Sequence, residues 1–96
     1  MKVAGFDWDR GNWPKCGKHG LSKADIEGVF TRPVRVFDDP NEAESRFRVI
    51  GRADDGRYVL VVVCLRGEGD DQLLRPISAR YMHAREVEHY ERQTNR

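Results

Sequence analysis

Two cysteines, Cys16 and Cys64, are too few to staple a small fold, so a disulfide scaffold is excluded and a reducing cytoplasm is the expected compartment. Long hydrophobic runs are also missing. The longest, Val59 to Leu65, is seven residues, far short of the ~20 that span a bilayer, so no membrane partner is expected. The first residues lack a basic stretch followed by an apolar one, and no signal peptide is expected. Charge of one sign is scarce too: the formal net charge is +1, which excludes a global electrostatic claim on nucleic acid. Internal repeats, low-complexity tracts and linkers are absent, and the 96 residues read as a single domain, 1–96.

What the chain does have is a 39% hydrophobic content beside a 34% charged one. That is enough apolar surface for one modest core, with the charge kept outside. The charge is unevenly placed. Met1 to Lys23 carries five Lys/Arg against two Asp, and Gln72 to Arg96 carries five Arg against three Glu. The intervening segment has seven Arg and eleven acids. Two locally basic ends form a phosphate-binding patch if the fold brings them together, although charge alone favours their being scattered.

The expected fold class is α+β: an antiparallel sheet flanked by two short N-terminal helices and a C-terminal helix. Around Phe6 and Trp8 lies a first strand. A short, irregular helix capped by Asp9 follows, interrupted by Gly11, Pro14 and Gly17 and stopped by Gly20 in a left-handed cap. Ser22 and Asp25 have capping-box spacing for a second helix, whose Ile26, Val29 and Phe30 face the core. A short strand at 34–39 and a polar loop at 40–44 come next. Strands on either side of Asp55-Gly56, a type I′ turn signal, make a central hairpin. A further strand contains Pro76, which places it at an edge or at a bulge. The last helix runs from about Ala84 to Gln93, with His83, Ala84, Val87 and Tyr90 as its apolar stripe.

Several residue types carry chemistry. His19, beside Lys18 at the Gly20 stop, has an imidazole that can take or give a proton in phosphodiester transesterification, with Lys18 on the phosphate. Arg52, Arg66, Arg75 and Arg80 end or interrupt strands, and a guanidinium grips phosphate bidentately while staying charged. Arg80, at the strand-to-helix junction, is the leading one; Arg75 and Ser78 stand second. Tyr81 and Tyr90 offer rings on which an unpaired base can stack, although Tyr90 also fits a packing role against Val87. Glu86, three residues after His83, caps the last helix rather than serving as a base. Cys16-x2-His19 with Cys64 or His83 is a conceivable zinc set, but it lacks the spacing of a second ligand pair, so neither metal nor cofactor is expected.

Three segments, in order, carry a family likeness. The stretch "FDWDRGNWPKCGKHGLSKADIEGVF" resembles the opening of the BrnT-like toxins, and "ESRFRVIGRADDGRYVLVVVCLR" resembles their central hairpin. "RPISARYMHAREVEHYE" is similar to their closing Arg-x-Ile-Ser-Ala-Arg and helix. His83 stands where that family commonly has Thr or Ser, Met82 where it has Ala, and Pro14 interrupts the first helix. The resemblance implies a RelE-like fold and a ribonuclease toxin of a bacterial toxin–antitoxin pair, neutralised by a ribbon-helix-helix antitoxin.

The resulting expectation is a metal-independent endoribonuclease. The substrate's 2′-hydroxyl attacks its own phosphate, His19 assists proton transfer, and Arg80, Arg52 and Arg66 hold the phosphate. Lys18, Arg75, Ser78 and Tyr81 bind the rest of the RNA. The rival class is a non-catalytic protein-binding module, or a family member that has lost activity, using the same basic surface.

Overall fold

The computed structural model describes residues 3–40 and 45–94. Five strands form one sheet: β1 (Gly5–Phe6), β2 (Arg35–Asp38), β3 (Arg46–Arg52), β4 (Tyr58–Arg66) and β5 (Leu73–Tyr81). Two α-helices accompany them, α1 (Lys23–Val29) and α2 (Ala84–Thr94). The strand order is β1-β5-β4-β3-β2. This is an α+β domain, with three corrections to the expectation.

The sheet is mixed. β2, β3, β4 and β5 pair antiparallel, but β1 joins β5 parallel, with Gly5 opposite Leu73 and Phe6 opposite Leu74. Chain ends distant in sequence meet there, which local periodicity does not encode. The first of the two N-terminal helices is reduced to one 3-10 turn, Lys15–Gly17. Gly11, Pro14 and Gly17 leave too few consecutive helix-forming residues to propagate an α-helix. One short N-terminal helix therefore remains, α1. The expected stop does occur, with Gly20 at φ 94°.

α1 begins as its sequence requires. The Ser22 side chain accepts from the Asp25 N–H at 3.0 Å, and the Asp25 carboxylate accepts from the Ser22 N–H at 2.9 Å. Two donors that the first helical turn leaves open are thereby satisfied. The helix lays Ile26 and Val29 on Val49, Val59, Val61 and Val63 of the sheet, all fully buried, with Leu21, Leu74 and Cys16 completing the core. The apolar run of β4 is thus buried mainly on one face, with Cys64 buried on the other. Leu60 and Val62, pointing the other way, stay partly exposed. Most of the expected polar loop at 40–44 lies outside the described residues.

The hairpin between β3 and β4 is also not the two-residue type I′ turn that Asp55-Gly56 signals. The Ala53 N–H donates to the Arg57 carbonyl, and the Gly56 N–H donates to the Ala53 carbonyl. Only Gly56 has positive φ, at 87°. That is a three-residue loop, a tight turn followed by one left-handed residue. Asp55 is spared positive φ, and its carboxylate accepts from the Arg57 N–H at 3.0 Å. Pro76 meets its expectation: the β4–β5 register slips between Val62 and Val63, so Val62 faces Ser78 while Val63 faces Pro76. The bulge falls where proline cannot donate to a ladder.

β1 covers β5 only at Leu73 and Leu74. Beyond them Asn12 donates to the Pro76 carbonyl, and among the described residues no further strand pairs with that edge of β5 on its way to α2.

Candidate functional site

α2 starts directly after β5, and its first turn is tied down by one carboxylate. Glu86 receives two hydrogen bonds from Arg80, at 2.7 and 2.8 Å, and a third from the His83 N–H at 2.9 Å. The expected cap role of Glu86 is what the geometry shows. These donors, Arg80 first and the His83 amide second, hold its carboxyl down at about 2, although burial opposes them. The same pairing raises the Arg80 guanidinium above its ordinary value. The sequence reading of Arg80 as a bare phosphate grip is therefore incomplete: it is a cation already held by an acid. Both side chains remain about a third exposed, at 34% and 36%.

Beside this pair, at the open edge of β5, lies a cleft of about 310 Å³ lined by His19, Arg80, Tyr81, Met82 and His83. His19 arrives from the loop before α1, one residue ahead of the left-handed Gly20, and is exposed. His83 arrives from the residue preceding α2 and is also exposed. Two imidazoles and a guanidinium from two separate stretches of the chain thus line one space. His83 enters the sequence reading as part of a helix stripe and as one option in the discounted zinc set, not as a proton-transfer partner of His19. Only the pairing of chain-distant segments across the β5 edge reveals it.

The other expected residues divide. Tyr81 lines the cleft, with the Arg57 guanidinium 3.7 Å above its ring. Ser78 lies two residues before Arg80 on the same sheet face, opposite Val62. Lys18 is exposed at the end of the 3-10 turn and does not line the cleft. Arg75 is committed elsewhere: it donates to both oxygens of Asp9, at 2.9 Å each, and to Asp7 at 3.2 Å, with only 13% of its side chain exposed. That clamp fastens the N-terminal segment to β5, and hydrogen bonds from Arg75 and then from the Gly11 N–H lower the Asp9 carboxyl below its usual range.

Arg52 and Arg66 do not share the cleft. Arg52 pairs with Tyr58 at one end of β4, and Arg66 stands at the other. Arg80 faces Leu60, so Arg66 lies six residues further along β4, roughly 20 Å away at strand rise. One phosphate cannot touch both. Arg52 is nearer, on the same face as Arg80, and roughly 12 Å away for two residues along and two strands across. Its guanidinium donates to the Tyr58 hydroxyl at 2.7 Å and the Gly56 carbonyl at 3.0 Å.

Among the described residues no group of three or more His, Cys, Asp or Glu is placed to hold a metal ion. Cys16 and Cys64 are both buried, and burial pushes the Cys16 thiol up, away from the thiolate a metal needs. No helix of the described residues is long and apolar enough to cross a membrane.

This small α+β domain has in its cleft two imidazoles able to exchange protons and a guanidinium able to hold a phosphate. Its family follows from a match over residues 8–86, 79 of the 96, to the profile described as "Ribonuclease toxin, BrnT, of type II toxin-antitoxin system". The chain belongs to this family, and the whole His19, Arg80 and His83 cleft falls inside the matched span. No curated protein matches the chain.

Proposed function

We propose that this protein is an endoribonuclease that cuts RNA at the cleft of His19, Arg80 and His83, and that a ribbon-helix-helix antitoxin neutralises it in the cytoplasm. The observation that carries the reading is the meeting of two imidazoles and one guanidinium in a single cleft. An imidazole titrates near neutrality in general, so a pair can hold one neutral and one protonated member at once. In the cut, the neutral ring takes the proton of the 2′-hydroxyl. Its oxygen bonds to the adjacent phosphorus, the bond from phosphorus to the 5′-oxygen breaks, and the protonated ring gives that oxygen its proton. The products are a 2′,3′-cyclic phosphate and a 5′-hydroxyl. Arg80 stabilises the extra negative charge on the phosphorane oxygens, and Glu86 fixes where its planar fork points.

This arrangement replaces the three-arginine grip with one arginine and a second histidine. Arg52 remains as a contact about 12 Å away, two strands across the same sheet face, with Ser78 two residues before Arg80 on that face and Tyr81 lining the cleft. The RelE-like kinship implied by the resemblance fits a small sheet with its chemistry at the last strand and helix. Purified protein incubated with RNA in excess chelator tests the reading. Cleavage is expected to persist and to leave cyclic or 3′-phosphate ends with 5′-hydroxyls. Folded protein that cuts no RNA but binds its antitoxin would instead establish the non-catalytic module.

A further inference from the structure

A second cleft, of about 460 Å³, opens between β2, β3 and α2. Its charge is all of one sign: Arg32, Arg35 and Arg52 line it, and none of the described lining residues is acidic. Arg32 is ion-paired to Asp54 and donates to the Gly28 and Arg52 carbonyls. Among the described residues, neither Arg35 nor Arg52 has a carboxylate partner. Arg35 sits on the edge strand opposite Ile50, exposed. Arg52 is fixed in place, its guanidinium 4.2 Å above the Tyr58 ring.

Two rings stand beside these cations. Tyr58 and Tyr90 meet edge to face, with centroids 5.3 Å apart at 70°. Burial raises the Tyr90 hydroxyl although Arg35 and Arg52 pull it the other way, so the ring stays a neutral surface. Tyr90 comes from α2, a helix with no buried residue, and lies beyond the stretch matched by the family profile. Rings and unpaired arginines in one groove are the ingredients of single-strand recognition: stacking for a base, charge for its phosphate. The space is within the usual range for a small ligand site.

We infer that the cleft of Arg35, Arg52, Tyr58 and Tyr90 holds one unpaired nucleotide of the RNA, its base on the tyrosines and its phosphate on the arginines. This rests on the ribonuclease reading. Arg52 then serves as a positioning residue about 12 Å from Arg80 along the same sheet face, rather than as a member of the reacting group. An acidic partner protein would also meet the charge but has no need of the paired rings.

A dye-labelled 2′-O-methyl oligoribonucleotide, which cannot be cut, separates binding from chemistry. Tyr90→Leu, which keeps apolar volume on α2, is expected to weaken its binding about tenfold, the scale of one lost base stack. Tyr90→Trp should retain binding. Arg35→Gln, on an exposed edge, should flatten the dependence of log affinity on log salt by about 0.7. If Tyr90→Leu and Arg35→Gln, both folded by circular dichroism, bind as the unaltered protein does, the inference is overturned while the ribonuclease reading stands. Loss of antitoxin binding alone, or an equal loss of inorganic polyphosphate binding in Tyr90→Leu, overturns it as well. An unaltered protein that neither binds nor cuts RNA removes both readings.

Discussion

Arg80 and Glu86 offer a pair of substitutions with opposite consequences. Arg80→Ala removes both hydrogen bonds of 2.7 and 2.8 Å, whereas Glu86→Gln keeps one acceptor oxygen and removes the other bond together with the charge. With both side chains about a third exposed, solvent screening limits the pair to about 1 kcal/mol. For a chain of this length that lowers Tm by roughly 4–8 °C. Stability therefore falls in both variants, by up to that amount. RNA affinity should not. A phosphate held by Arg80 stands about 5 Å from the Glu86 carboxylate, because both anions touch one guanidinium. Two like charges at that distance repel by roughly 0.8 kcal/mol in water, so Glu86→Gln should tighten binding of an uncleavable oligoribonucleotide about fourfold. Arg80→Ala should loosen it and cut the cleavage rate by ~10²-fold or more, as when one transition-state donor is removed. Fluorescence anisotropy and melting curves on the two purified variants provide the assay. If affinity falls in both, or changes in neither, the Arg80–Glu86 pair is a helix clamp and the phosphate binds elsewhere.

Other outcomes follow from the same geometry. Arg66→Ala should leave the cleavage rate within about threefold of the unaltered protein, since Arg66 is roughly 20 Å from Arg80; a loss as large as that of Arg80→Ala refutes the placement of the site. Asn12, at 1% exposure, donates to the Asp7 and Pro76 carbonyls and accepts from the Asp9 N–H. Asn12→Ala strands these groups and should cost about 2–4 kcal/mol, read by urea unfolding. A Cβ on Gly51 would stand 2.6 Å from Val29 Cγ1 and 2.9 Å from Val34 Cγ1, so Gly51→Ala should destabilise by about 1–3 kcal/mol through overpacking. The carboxyl of Glu86 is depressed from 4.5 to about 2, so its contribution is present above pH ~4.5 and lost as pH falls through about 2. Acid unfolding of Glu86→Gln should consequently show a shallower pH dependence between those values, and an unchanged one would discount the pair.

Local chemistry was readable in the sequence, and long-range assembly was not. The Ser22–Asp25 capping box, the Gly20 stop, the bulge at Pro76 and the cap by Glu86 each depend on residues within a few positions of one another. The valines of β4 announced a strand by composition alone. The parallel pairing of β1 with β5 links residues 68 positions apart, Gly5 with Leu73, and no periodicity reports such a contact. The Arg75 clamp on Asp7 and Asp9 depends on the same pairing, which is why Arg75 read as a free phosphate ligand. Arg52, Arg66 and Arg80 looked equivalent as strand-end arginines. Register alone separates them, putting Arg52, on β3, beside one end of β4 and Arg66 at the other. His19 was legible as a candidate through its place at a helix stop, whereas its partner His83 became visible only once the edge of β5 brought the two loops together.

The central claim is that His19 and His83 divide the proton transfers of RNA cleavage. Initial cleavage rates of the unaltered protein, His19→Ala, His83→Ala and the double variant, measured in chelator on folded samples, test it most directly. Each single variant is expected to lose about 10²–10⁴-fold, and the double variant far less than the product of the two losses, because groups that act as a unit are not additive. Wild-type rates in both single variants would contradict the account.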